Sequence, residues 1–249
     1  MRSYVLLNTT ISRVPKQWKL QAEDRIAFVD PKWEERLDAR RRSLLARLRA
    51  KAVGPGRIYL IKAFLPWLLP TVRRAVVLDH DLYFVEPPAR LWSEFRRFDH
   101  SQMIGVARDV MGPVLYPDST FGVNGGVQLL DLERMRSTPK YEQALNTIAN
   151  SGAVIGYLGD QTLYTLIGDA HPDLLYHLSC KFNRQLNVHF RMPVEAYACG
   201  DGCAVIHGNQ PRWKSEMKRW GAGPWSLSNL RHLPMHLRAA FQNCTELPP

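Results

Sequence analysis

The chain has 249 residues, with 33 Lys and Arg against 23 Asp and Glu, which gives a formal net charge of +10. This length suits one large α/β domain or two small ones, and a hydrophobic content of 45% with seven Trp excludes a disordered chain. The positive charge indicates an anionic partner without identifying it, since nucleic acid, acidic lipid and a nucleotide diphosphate all qualify.

The sequence contains no segment long enough to cross a membrane. No window reaches the roughly 18 uninterrupted apolar residues that mark a spanning helix. The apolar run near the N-terminus is also too short for a signal peptide. We therefore expect any anchor or leader to lie outside this chain.

Short apolar runs alternate with helical patterns along the chain, which is typical of an α/β fold. The predicted strands are residues 4–7, 26–29, 75–78, 103–106, 127–130, 174–178 and 204–206. The predicted helices are residues 33–52, 57–65, a short one around 91–92, 140–149, 160–167 and 233–243.

Two basic features of the predicted helices have an ordinary interpretation. The run Arg40–Arg41–Arg42 could bind nucleic acid, but no aromatic or nucleic-acid motif accompanies it, so we interpret it as a solvated helix face. Lys62 stands alone among apolar residues, where a lysine usually extends its ammonium group to the surface.

Asp160 is a plausible N-cap for the helix that follows Gly159.

The strand at residues 75–78 leads directly into two carboxylates, Asp79 and Asp81. Its four residues are all apolar, as expected for a strand buried on both faces. In an extended chain the two aspartates point the same way, and they would repel each other unless a cation lay between them. Polar clusters also occur at Asn124–Gly125–Gly126 and at His207–Gly208–Asn209, the second of which directly follows a strand. The first could be a turn or a place where only backbone fits against a ligand, and the sequence alone favours the turn.

Asp79, Asp81 and His207 together would suit a divalent first-row metal such as Mn²⁺. Arg212 and Lys214 follow the histidine closely and could neutralise phosphate oxygens. Each signal is weak alone, because Asp-x-Asp and a histidine after a strand are both common. Their combination predicts a site for a metal and an anionic ligand.

All four cysteines lie in the last third of the chain: Cys180, Cys199, Cys203 and Cys244. Disulfides or buried thiols are one interpretation, and a zinc site at Cys199 and Cys203 is the other. We favour the first, because no second close pair completes a zinc site. Sequons at Asn8 and Asn243 agree weakly with an oxidising compartment.

Several ordered motifs resemble glycosyltransferase family 8, among them the stretch FGVNGGVQLLDLERMR at residues 121–136. The match covers about residues 57–211 and is most similar to the LARGE-type and glucoside xylosyltransferase branch. Its segments are residues 57–65, 69–70, 75–84, 121–136, 159–161, 180–189 and 205–209.

The resemblance implies an α/β fold: a single Rossmann-like domain of the GT-A type with a mixed, mainly parallel central sheet. This domain would cover residues 1–249, with residues 212–249 as a C-terminal helical extension. The chain would start at the second strand of the family and so be truncated at its N-terminus. The metal half of the donor site would then be complete and the uracil half incomplete.

The resemblance also implies roles for individual residues. Asp79 would contact the ribose and the metal, Asp81 would ligate the metal, and His207 would be its third protein ligand. Asp160 and Gln161 would form the catalytic pair beside the transferred sugar, with Asp160 as a candidate nucleophile and front-side attack as the alternative. The implied donor-binding residues are Lys62, Asp79, Asn124, Gly125, Gly208, Arg212 and Lys214.

By resemblance, the protein is a retaining, Mn²⁺-dependent transferase that moves a sugar, with xylose as the best guess, from a UDP-sugar to a glycan or glycoprotein. It would act in the Golgi or endoplasmic reticulum lumen, without a nucleic-acid partner. The sequence does not identify the acceptor, because acceptor contacts come from variable loops such as those at residues 108–120 and 190–202.

A nucleic-acid-binding module would explain only the charge, and two further alternatives remain at this point. One is a catalytically incomplete member of the same fold that acts as a binding or assembly subunit. The other is a phosphatase of the haloacid-dehalogenase type, which also places Asp-x-Asp after a strand. That motif requires Thr or Val where this chain has Tyr83, and it does not explain His207.

Overall fold

A computed structural model of the chain describes residues 2–6, 24–28, 32–79, 81–185 and 199–208. The strands in these ranges are β1 (Arg2–Leu6), β2 (Asp24–Phe28), β3 (Ala75–Leu78), β4 (Leu82–Phe84), β5 (Ile104–Arg108), β6 (Val123–Leu130), β7 (Leu175–His177), β8 (Arg184–Gln185) and β9 (Val205–His207). The α-helices there are α1 (Ala39–Ala50), α2 (Gly56–Tyr59), α3 (Ile61–Leu68), α4 (Pro88–Ser93), α5 (Gly112–Leu115), α6 (Leu132–Ser137), α7 (Pro139–Asn150) and α8 (Asp160–Ala170). The helix predicted at residues 233–243 lies outside the described residues.

Six strands form the larger sheet, in the order β2-β1-β3-β6-β5-β7. The pairs β1/β2, β1/β3 and β5/β7 are parallel, whereas β6 is antiparallel to both of its neighbours, β3 and β5. One reversed strand among six makes this sheet mixed and mainly parallel, as predicted.

Both faces of the larger sheet are covered, which explains why β3 consists of apolar residues alone. Ala75 and Val77 pack into the cluster that also contains side chains of α1, α3, α7 and α8. Val76 and Leu78 point to the opposite face and pack against β4, α4 and β9. The sheet is therefore the middle layer, with the long helices on one side.

A second sheet of three short strands, in the order β4-β9-β8, lies on the other side. Strand β4 starts immediately after the aspartate pair and runs antiparallel to β9, so that Leu82 is opposite His207. This pairing brings the histidine, more than a hundred residues later in the chain, next to the two carboxylates.

The helix predicted for residues 33–52 is in fact two elements. Trp33–Arg36 form a 3-10 turn, and α1 begins only after Asp38, whose carboxylate accepts the Arg41 backbone N–H at 2.9 Å. This cap satisfies a free N–H of the first turn and so sets the helix start. The arginine run is a surface face, as interpreted, with Arg40 and Arg41 paired to Glu142 of α7. Four leucines of this region are buried: Leu37, Leu44, Leu45 and Leu48.

The turn predicted at Asn124–Gly125–Gly126 is wrong. These residues lie inside β6, an eight-residue strand that is buried along its whole length. Glycine and asparagine favour turns in general, but here the missing side chains make room for groups of the candidate site, described below.

The three cysteines in the described ranges form disulfides rather than a zinc site. Cys180 and Cys199 are joined directly, and Cys203 is also disulfide-bonded. The zinc alternative at Cys199 and Cys203 is therefore excluded.

Within the described ranges, none of the helices has the length and apolar character needed to span a bilayer.

Candidate metal and donor site

Two backbone hydrogen bonds hold the aspartate pair where the two sheets meet. The Asp79 N–H donates to the carbonyl of Gly126 in β6 at 2.9 Å, and the Gly208 N–H donates to the carbonyl of Asp81 at 2.9 Å. The first bond ties the end of β3 to its neighbour in the larger sheet. The second ties the start of β4 to the end of β9, which carries His207.

Asp79, Asp81 and His207 form a group that could hold a metal ion, with one ligand atom from each within 4.8 Å of the others. His207 Nε2 lies 3.4 Å from Asp81 Oδ1 and 3.8 Å from Asp79 Oδ2. Ligands of one small octahedral cation, bound at about 2.1 Å, lie roughly 3 Å apart when adjacent and about 4 Å apart when opposite. The two separations from His207 Nε2 fall between these values. One imidazole with two carboxylates suits a divalent cation.

Lys62 is buried next to this group, and the predicted extension of its side chain to the surface is wrong. Its ammonium donates to Asp79 Oδ1 at 2.9 Å and to the Gly125 carbonyl at 2.8 Å, and it lies 3.1 Å from Asp160 Oδ2. Burial alone would lower the pKa of Lys62, but the Asp160 and Asp79 carboxylates outweigh it and raise the pKa above its usual value. The lysine is therefore a charged internal crosslink from α3 to the end of β3, to β6 and to α8.

Asp160 is the first residue of α8 and does not cap it, in contrast to the prediction. Gly159 occupies the cap position with φ of 60°, a conformation that glycine adopts without strain. This frees the Asp160 carboxylate to face Lys62 and to accept a hydrogen bond from Gln128 Nε2. Burial raises the pKa of Asp160 to about 6, against the opposing effect of the Lys62 charge.

Gln161 is fixed from both ends of its amide. Its Oε1 accepts the Gly125 N–H at 3.2 Å, and its Nε2 donates to Asp109 Oδ2 at 2.9 Å. Asp109 was not predicted as a site residue, although it directly follows β5, as Asp79 follows β3. That shared position was the signal in the sequence that could have identified it.

Asn124 links the glutamine side of the site to the histidine side. Its Nδ2 donates to Asp109 Oδ2 at 2.9 Å, while its Oδ1 accepts from the Gly126 N–H at 3.0 Å and from Asn183 Nδ2 at 2.9 Å. Asn183 Oδ1 in turn lies 3.0 Å from His207 Nδ1. No sequence pattern connects Asn183 with the histidine, because nothing local shows which distant side chains its amide meets.

The two glycines of β6 allow these groups to approach the strand closely. A Cβ at Gly125 would lie 2.8 Å from Asp160 Oδ2, and one at Gly126 would lie 2.1 Å from His207 Cε1. Cβ contacts under 3.0 Å essentially do not occur in proteins. Any side chain at position 126 would therefore displace the imidazole.

A cleft of about 430 Å³ adjoins the Asp109 end of this network. It lies beside the loop at residues 108–120, one of the two variable loops where acceptor contacts were expected. Its polar lining includes Arg108, Asp109, Tyr116, Thr120, Asn183 and Gln185.

The structure brings most of the predicted site residues into one continuous network through direct contacts. Those brought together are Lys62, Asp79, Asp81, Asn124, Gly125, Asp160, Gln161, His207 and Gly208. Arg212 and Lys214, predicted to contact the diphosphate, lie outside the described residues, so their roles stay predictions.

Replacing Lys62 by methionine should lower the free energy of unfolding by about 3 kcal/mol, because it leaves the buried Asp160 carboxylate without its cation. This loss is at the low end of the range for removing one partner of a buried ion pair, since Asp160 can bind a proton and Asp79 is one-third exposed. Denaturant titration measures this change. Adding Asp160→Asn to Lys62→Met should restore part of the loss.

The matched control is Lys140→Met, which removes an ion pair with Asp173 on the surface. It should cost less than about 1 kcal/mol, because water screens such pairs. A Lys62→Met protein as stable as this control would show that the internal crosslink does not hold the site together.

No family model matches the chain, but individual proteins do. Over 183 residues it is 31% identical to mouse (Mus musculus) xyloside xylosyltransferase 1, and the match covers 61% of this chain and 46% of that protein. Over 166 residues it is 31% identical to human (Homo sapiens) xylosyl- and glucuronyltransferase LARGE1, covering 61% of this chain and 22% of that protein. The chain thus spans half or less of the length of these curated relatives.

Solved structures agree with the sequence comparison. The crystal structure of mouse xyloside xylosyltransferase 1 in its apo form matches with a TM-score of 0.62 at 26% identity, over 77% of both chains. The glycosyltransferase GlyE of Streptococcus pneumoniae matches with a TM-score of 0.53 at 14% identity, which supports the fold alone. The resemblance drawn from the sequence is confirmed: the chain has the GT-A glycosyltransferase fold and is a homologue of the family 8 members xyloside xylosyltransferase 1 and LARGE.

Proposed function

We propose that this protein is a retaining, metal-dependent glycosyltransferase that moves a sugar from a UDP-sugar to a glycan or glycoprotein acceptor. The observation that carries the proposal is the group formed by Asp79, Asp81 and His207, in which the buried Lys62 is paired with Asp79. The names of the relatives, xyloside xylosyltransferase and xylosyl- and glucuronyltransferase, support xylose as the transferred sugar.

The leaving group of such a reaction is a nucleoside diphosphate, which gains negative charge as the bond to the sugar breaks. A divalent cation such as Mn²⁺, when bound, supplies positive charge against this change. The two carboxylates and His207 Nε2 would hold it. Lys62 fixes Asp79 at 2.9 Å and prevents that carboxylate from turning away.

The surroundings of Asp160 bear on how the sugar is attacked. One oxygen of its carboxylate, Oδ2, already faces Lys62 and Gln128, and the side chain is buried. Such an oxygen is a poor nucleophile, because part of its charge is neutralised and it cannot move freely. We therefore favour front-side attack assisted by the leaving phosphate, with Asp160 and Gln161 holding the sugar pocket in shape.

The cleft next to Asp109 is the proposed acceptor site. It is about 430 Å³ in volume and is lined by backbone and side chains of the loop that precedes β6. Hydroxyl and amide groups such as those of Tyr116 and Gln185 are suited to hydrogen-bond the hydroxyls of a sugar.

We also propose that the protein works in the Golgi or endoplasmic reticulum lumen. The disulfide between Cys180 and Cys199 supports this compartment, because disulfides persist in oxidising environments and are rare in the cytosol.

A panel of donors tests the proposed activity. Full-length protein with Mn²⁺ should release UDP from UDP-xylose faster than from UDP-glucose, UDP-galactose or UDP-glucuronic acid, in assays with and without a set of glycoside acceptors. A chelator should stop this release, and added Mn²⁺ should restore it. Absence of turnover with every donor would overturn the enzyme proposal, and turnover that resists the chelator would remove the metal from it.

A further inference from the structure

We propose that Asn183 is a positioning residue that fixes the proton of His207 on Nδ1, and so presents the bare Nε2 to the two carboxylates. A chain of hydrogen bonds carries this inference, from the Gly126 amide through Asn124 and Asn183 to the imidazole. The inference deepens the proposed function, since it rests on the proposed metal role of His207.

The chain starts at a group that can only donate. The Gly126 N–H points at one end of the Asn124 amide from 3.0 Å, so that end must be the oxygen. The other end of the amide lies 2.9 Å from the Asp109 carboxylate, which accepts a hydrogen bond from an NH₂ group. Two independent contacts therefore give Asn124 the same orientation.

The orientation of Asn183 follows from that of Asn124. The Asn124 oxygen also faces the Asn183 amide at 2.9 Å, and only the NH₂ end of that amide can donate to it. The oxygen of Asn183 is consequently turned towards His207.

The position of the histidine proton follows in turn. Asn183 Oδ1 lies 3.0 Å from His207 Nδ1, and an amide oxygen only accepts, so Nδ1 carries the proton. In the neutral ring the lone pair is then on Nε2, which faces Asp81 Oδ1 at 3.4 Å. Metal-binding histidines generally have this arrangement, with the second ring nitrogen donating to a fixed acceptor.

Burial keeps these hydrogen bonds and the amide orientations in place. Asn124, Asn183 and His207 are 3%, 2% and 2% exposed, so water does not compete for these hydrogen bonds. A buried amide that turned over would place two donors or two oxygens in contact, which is costly in a medium of low polarity. The backbone of β6 thus determines the tautomer of a side chain three hydrogen bonds away.

Two measurements test the inference. Nitrogen-15 NMR of the wild-type protein without metal, at a pH where the ring is neutral, should show His207 protonated on Nδ1, with the signal assigned by its loss in His207→Gln. Calorimetric titration with Mn²⁺ should show an affinity about 10–100-fold lower in Asn183→Leu, the usual cost of losing such an outer partner. The control Asn146→Leu changes a partly buried asparagine of α7 that bonds Arg47 and the Glu142 carbonyl, and it should bind Mn²⁺ as the wild type does.

A His207 proton on Nε2 in the wild type would overturn the inference, as would unchanged Mn²⁺ affinity in a folded Asn183→Leu. If that variant does not fold, the wild-type spectrum alone decides. A different result would overturn the proposed metal site itself: Asp81→Asn binding Mn²⁺ as tightly as the wild type does.

Discussion

Turnover of the UDP-sugar should fall about 10³-fold when Asp81 is replaced by asparagine, since a bound cation contributes several kcal/mol of charge stabilisation and each 1.36 kcal/mol is a factor of ten. Asparagine keeps the shape of the side chain but removes one of the two negative charges that face His207 Nε2. The bond from the Gly208 N–H to the backbone carbonyl of residue 81 does not depend on the side chain. The fold should therefore stay intact while activity is lost, as UDP release and a thermal melt would show.

The control for this variant is Asp173→Asn, which makes the same chemical change in an exposed carboxylate paired with Lys140. It should leave turnover within about twofold of the wild type, because exposed ion pairs contribute little. Asp81→Asn turnover equal to that of this control would show that the carboxylate does not take part in metal binding.

The aspartate pair could be predicted because its signal is local. Four apolar residues followed by carboxylates two apart indicate a buried strand end that needs a cation, and the structure has β3 at those residues. His207 could be predicted in the same way, as a polar group at the end of a second apolar run. Both inferences used only the chemistry of neighbouring residues.

Lys62 shows why other parts of the site could not be predicted. A lone lysine on an apolar helix normally reaches water, and only the fold reveals two carboxylates and a carbonyl close enough to keep it inside. The error at Asn124–Gly125–Gly126 has the same origin. Local preference favours a turn there, but close approach by Asp160 and His207 selects for glycine in a strand.

Strand β6 connects the lysine side of the network to its histidine side. On one side, the Gly125 carbonyl accepts from Lys62 and from Gln128. On the other, the Gly126 N–H sets the orientation of Asn124, and its carbonyl accepts from the Asp79 N–H. A reversed strand in the middle of the sheet thus binds the lysine directly through a backbone carbonyl and orients the histidine through Asn124 and Asn183. A change in its side chains should disturb both.

Gly126→Ala should therefore be severe. The new Cβ would lie 2.1 Å from His207 Cε1, and the ring cannot move aside without breaking its bond to Asn183. Overpacking of this kind costs about 3 kcal/mol of stability. Displacement of a metal ligand should in addition lower Mn²⁺ affinity about 100-fold or more, given that loss of an outer partner alone costs 10–100-fold. Denaturant titration and calorimetry measure the two effects separately.

Gly152→Ala is the matched control, because a Cβ at that position would have nothing within 4 Å. The same added methyl group should leave both stability and Mn²⁺ affinity close to those of the wild type, or slightly stabilise the protein by restricting the unfolded chain. If Gly126→Ala behaved like Gly152→Ala, the imidazole would have room to retreat from the strand. The histidine would then be held by the metal rather than by the protein, and Asn183→Leu should also be harmless. Severe loss in Gly126→Ala together with reduced affinity in Asn183→Leu would instead show that β6 builds the ligand into position before any ion binds.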